Sequence, residues 1–108
     1  MTARSEYDAA YFTLLRAREE YDHLLRYREY LEAEAGRLAV FSEQTRDLAE
    51  PIPRKMRRPI DATTKTLLEA VGRRRSAVLA ELGRQDNRVD AAQAFVEECE
   101  AELAQLRP

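Results

Sequence analysis

The sequence predicts an all-α fold, a long antiparallel two-helix hairpin of the coiled-coil type, and three observations predict it. Stepping from Leu68 in alternating threes and fours lands on Val71, Arg75, Val78, Leu82, Gln85, Val89, Ala92, Val96, Cys99, Leu103 and Leu106. All but Arg75 and Gln85 are apolar or Cys, which is a coiled-coil seam sustained over more than three heptads. The same stepping opens the chain, at Tyr7, Ala10, Leu14, Ala17, Tyr21 and Leu24. Composition agrees: 35% charged residues, no Trp, three Gly and four Pro in 108 residues, with Ala, Glu, Arg and Leu dominant, is what long helices use. At 1.5 Å per residue the second seam runs about 58 Å, and a single helix has nothing to cover it.

The first helix is expected over residues 3–49, a stretch with one Gly and no Pro. After Leu24 its apolar positions are expected to move to a neighbouring row, Tyr27, Leu31, Leu38, Phe41, Thr45 and Leu48, because a 3.6-residue period drifts against a strict seven. A stripe widened in this way faces more than one partner helix. Gly36 either lets another helix approach closely or sits on the surface, at a cost of about 1 kcal/mol relative to Ala.

Residues 51–60, PIPRKMRRPI, are read as a bend. Pro51 pushes Glu50 out of helical geometry, and Pro53 and Pro59 interrupt any helix through the segment. A single turn over Arg54–Arg58 fits between them. The second helix is expected over residues 61–106, with Asp61 or Thr63 as its N-cap.

Two long helices joined by so short a link fold back on each other. With the turn near Lys55, Leu38 falls beside Val71, Leu31 beside Val78, Leu14 beside Val96 and Tyr7 beside Leu103. Glu34 and Arg75, the polar residues of the two seams, are then expected to pair and set the register, with Arg28 and Gln85 acting in the same way. Off the seam remain Tyr11, Phe12, Leu15, Leu25, Tyr30 and Val40 on the first helix, and Leu67, Leu79 and Phe95 on the second. On two helices that is apolar surface in want of a partner. The expected solution is a homodimer, two hairpins forming a four-helix bundle. The alternative is a hairpin docked on a different protein.

Catalytic chemistry finds little footing. His23 is the only histidine, so neither a His-based metal cluster nor a Ser-His-Asp set exists in one chain. Cys99 lies on the seam, where a thiol packs as a small hydrophobe, and a single Cys excludes an internal disulfide. The carboxylates Glu19–Glu20, Glu97–Glu98, Glu100 and Glu102 read as a solvated helix face rather than an acid/base pair across a cleft. The one Glu-x-x-His, Glu20–His23, is half of the pair that a two-metal carboxylate bundle uses, and no Gly-rich phosphate loop occurs. The reading is of a protein that is not an enzyme and takes no cofactor and no metal.

Charge is segregated. From Ile52 to Arg75 the basic residues Arg54, Lys55, Arg57, Arg58, Lys65, Arg73, Arg74 and Arg75 face only Asp61 and Glu69, whereas Glu81–Leu106 is mostly acidic. Arg54, Lys55, Arg57, Arg58, Arg73 and Arg74 are therefore candidates for holding a phosphate, as nucleic acid or an anionic nucleotide. They lack the interleaved aromatics and the helix-turn-helix pattern that sequence reading uses. Tyr11, Leu15, Leu25 and Tyr30 are the candidates for contacting a protein partner.

The outline is similar to the small secreted hairpin proteins of type VII secretion, but their bend carries Trp-x-Gly and this one reads PIPRKMRRP. Coiled-coil hairpins that enter the RNA polymerase secondary channel also resemble it in shape, but their working tip is acidic. Neither family's function carries over. The sequence has no apolar leader and no run that would span a bilayer. It reads as a cytoplasmic, non-enzymatic interaction or adaptor module, and its Arg- and Ala-rich bias suggests a high-GC bacterial source. The competing reading is an anion binder working through the bend.

Overall fold

The computed structural model describes residues 3–107. The fold is an all-α helical hairpin of two helices, α1 (Ala3–Ala49) and α2 (Arg54–Leu106), and no strand occurs among the described residues. None of the described helices is long and apolar enough to cross a membrane.

The helix α1 has the expected bounds, and its ends follow ordinary helix chemistry. Glu6 lies in its first turn and Arg46 in its last, each complementing the helix dipole. Beyond Ala49 the chain tightens: the Glu50 amide donates to the Asp47 carbonyl, and the Ile52 amide to that of Ala49, both at 3.3 Å. Arg57 reaches back to finish the end. Its Nη2 donates to the carbonyl of Glu50 at 2.8 Å and to that of Ala49 at 3.5 Å, filling acceptors that a helix terminus leaves open.

The start of α2 departs from expectation. It begins at Arg54 rather than residue 61, and Pro59 lies inside it. Pro53 precedes the first turn, where its carbonyl accepts the Met56 amide at 2.9 Å. Pro59 removes only the bond to the Lys55 carbonyl, and both residues are exposed, so water can take that place. Thr63 is not a cap: its Oγ1 donates to the Pro59 carbonyl at 3.1 Å, one turn back within the helix.

The chain packs as two compact units, each an antiparallel pair of helix segments. One comprises Met1–Glu29 with Gly83–Pro108, and the other Tyr30–Leu82. We call them the terminal unit and the bend unit. In the terminal unit Ala10, Leu14, Ala17, Val96, Cys99 and Leu103 form a buried cluster, flanked by Tyr7, Tyr21 and Leu106. Val89 and Gln85 are buried as well. Taken in antiparallel order, the spacing of the two series sets Ala10 level with Leu103, Leu14 with Cys99 and Ala17 with Val96. That is one step from the expected levels, which put Leu14 beside Val96. Arg28, half-buried, meets Asp86 at 3.7 Å on the flank beside the buried Gln85.

In the bend unit the buried residues are Leu31 and Ala35. Half-buried positions continue the seam through Leu38, Ser42, Thr45 and Ala49 on α1, and through Thr64, Leu68, Val71, Val78 and Leu82 on α2. Arg75 is exposed.

Candidate partner-binding surface

The surface follows from where the seam of α1 runs. Its inward positions hold a strict seven throughout the bend unit: Leu31, Ala35, Leu38, Ser42, Thr45 and Ala49. The expected shift to the row of Phe41 and Leu48 does not occur, and both are exposed, as is Tyr27 in the terminal unit. Pairing along one seam favours slight under-winding to 3.5 residues per turn, which keeps the same positions inward. Small residues at 35, 42 and 49 fill it, and the large side chains next to them are left outside.

Glu34 anchors one flank of this seam. Its carboxylate accepts from Arg37 Nη2 at 2.7 Å on the same helix and from Arg74 Nε at 3.1 Å on the other. Arg74 therefore takes the partner role expected of Arg75, because the carboxylate leans off the seam toward the flank. The Glu34 side chain is 14% exposed. The Arg37 hydrogen bond holds its carboxyl below the ordinary 4.5; burial opposes this, and Arg74 reinforces it. The Arg37 guanidinium also lies 5.9 Å from the centroid of the Tyr30 ring, within cation–π range.

One heptad from this ion pair the same flank turns apolar. Seven residues after Glu34 comes Phe41, and seven before Arg74 comes Leu67; in an antiparallel pair those steps run in one direction, so both lie on this flank toward the bend. Another heptad brings Leu48 and Ile60. Phe41 is 45% exposed, Leu67 43% and Leu48 74%, and Ile60 is half-buried. Val40 and Met56 are exposed too. The bend unit thus carries an uncovered apolar flank that starts beside a fixed ion pair.

The four partner candidates fall in both units. Tyr11 is exposed in the terminal unit, edge-on to Phe12 at 6.0 Å between ring centroids, and Leu15 and Leu25 there are half-buried. Tyr30 is exposed in the bend unit, under Arg37. Phe41 and Leu48 were placed in the core by the sequence argument. The signal that separates them is the unbroken three-four stepping through Arg28, Leu31, Ala35, Leu38, Ser42, Thr45 and Ala49, hidden because those residues are small or polar.

Of the six anion candidates, Arg54, Lys55, Arg58 and Arg73 are exposed. Arg57 is spent on the end of α1 and Arg74 on Glu34. The cleft beside Arg57 also receives Arg46 and Lys65, but Glu50, Asp61 and Glu69 line it equally, so its field is mixed. Gly36 is exposed and a Cβ built there meets nothing within 4 Å, which settles it as a surface residue. His23 is exposed. Cys99 is buried; burial, with Glu102 and Glu98 adding to it, pushes its thiol up and leaves it a poor nucleophile.

No protein-family model, no curated protein and no solved structure matches this chain.

Proposed function

We propose that this chain is a non-enzymatic, cytoplasmic interaction module that binds protein through a helix face, with self-pairing into a four-helix bundle as one use of that face. The observation that carries this reading is the exposed flank of Phe41, Leu67 and Leu48 beside the Glu34–Arg74 pair. Such a flank supplies both parts of helix recognition. Apolar side chains at heptad spacing give affinity, and a fixed charge pair sets the register of an incoming helix. Arg37 over Tyr30 extends the same face with residue types favoured at binding hot spots.

The test is a pull-down with the parent chain as bait, run beside the double variant Phe41→Lys/Leu67→Lys, whose helicity is checked by circular dichroism. Loss of the bound protein with helicity intact supports the reading, and retention of it shows that the contact lies elsewhere. Salt-dependent binding of DNA, RNA or a cyclic nucleotide, abolished when Arg54, Lys55, Arg58 and Arg73 become Ser, would replace it with anion recognition at the bend.

A further inference from the structure

We infer that a second copy of this chain is the occupant of the apolar flank, and that the two copies meet through unlike patches. The Phe41–Leu67 flank of one copy seats on a groove in the terminal unit of the other. This rests on the protein-contact reading above and names its partner.

The receiving groove is built by Phe12 and Phe95 around Ala17 and Ala92, with Arg16 and Glu20 nearby. Phe12 is 66% exposed and Phe95 is also exposed. The two alanines leave room between the aromatic side chains for a Phe or Leu to enter.

Charge selects unlike over like. Met1–Glu29 with Gly83–Pro108 carry eight Arg against twelve Asp and Glu, a net −4; Tyr30–Leu82 carry ten Arg and Lys against eight acids, a net +2. Together these make the −2 of the chain. Flank on flank would bring two positive units together, and groove on groove two negative ones. Flank on groove joins opposite signs, which speeds encounter and disfavours the like pairing.

Burial supplies the motive: Phe41, Leu48 and Leu67 on the flank and Phe12 and Phe95 in the groove are all exposed in a single copy, and the contact covers them. In a pair, each flank meets the other copy's groove about a twofold axis; a single unreciprocated contact is heterologous and continues into a ring or a series of copies. Either way the mass in solution is at least twice 12.5 kDa.

Crosslinking with a short bismaleimide tests the pairing directly. In a Cys99→Ser background, whose helicity is checked first and replaced by Cys99→Ala if it falls, Phe12→Cys is made with a tag and Phe41→Cys without one. The expected product appears only when the two are mixed and joins one of each; raising salt lowers its yield. A product from Phe41→Cys alone overturns the unlike pairing. A light-scattering mass of one chain for the parent protein overturns the second copy altogether. That last result leaves the protein-contact reading standing if the pull-down still loses its partner on Phe41→Lys/Leu67→Lys, so the two failures are distinguishable.

Discussion

The terminal unit and the bend unit are built from the same two helices with the same stepping, yet they bury their seams differently. In the terminal unit Ala10, Leu14, Ala17, Gln85, Val89, Val96, Cys99 and Leu103 are buried, and Tyr7, Tyr21, Leu24, Ala92 and Leu106 of the same seam are half-buried. In the bend unit the α1 positions after Leu31 are Ala35, Leu38, Ser42, Thr45 and Ala49, and only Leu31 and Ala35 are buried. Three large apolar residues of the bend unit, Phe41, Leu48 and Leu67, stand one position to the side of its seam and are exposed. Seam stepping decides which positions face inward. Residue size at those positions decides how much stability the facing yields. Both units leave large apolar residues outside the seam, Tyr11, Phe12 and Phe95 in the terminal unit and Phe41, Leu48 and Leu67 in the bend unit, but only the terminal unit closes a buried cluster beneath them.

The sharpest way to break this contrast is to truncate one residue of each kind. Leu14 is 2% exposed, so Leu14→Ala should cost about 3 kcal/mol through lost burial and the cavity left behind. Leu67→Ala, on an exposed flank, should stay within about 1 kcal/mol when measured on the monomer. Urea unfolding followed by circular dichroism reads both, and equal losses would erase the distinction between the units. Next in size is Gln85, 0% exposed in the seam of the terminal unit. Gln85→Leu should raise stability by about 1 kcal/mol, since a buried polar seam residue trades stability for register. A fall in the urea midpoint would show that its hydrogen bonding outweighs its burial.

Smaller effects sharpen the bend unit. Gly36→Ala should add about 0.5–1 kcal/mol by restricting the unfolded chain, because nothing obstructs a Cβ there. Removing the Arg57 side chain, as Arg57→Ala, should cost about 1 kcal/mol by opening the carbonyls of Ala49 and Glu50. Acid should reveal Glu34. Its folded carboxyl is held below the ordinary 4.5, so the stability it contributes is complete above that value. It is lost as pH falls through 4.5 and then through the lower folded value. Thermal midpoints taken from neutral pH downward should fall less steeply in Glu34→Gln than in the parent, and identical slopes would discount the ion pair.

Much of this was legible in the residues. The α1 bounds, the α2 seam and the exposure of Tyr11, Phe12, Tyr30, Val40, Leu67, Leu79 and Phe95 all follow from spacing alone. Three matters were not. Pro59 looked like a helix breaker, but a breaker matters only if the carbonyl it strands is buried, and that of Lys55 is not. Phe41 and Leu48 looked like core, because hydrophobicity marks a row without saying whether a smaller row beside it is the one that closes. Glu34 was matched to Arg75, because a seam position says nothing about the direction a long side chain takes.

By itself the sequence determined that this chain is two helices which must fold back on each other, since a three-four stripe too long to cover itself has few other covers. Tertiary structure alone decided which stripe of α1 closes, which arginine meets Glu34, and which apolar residues are left over. Those choices depend on how near two backbones come once small side chains let them approach. That distance belongs to the pair of helices and is written in neither one.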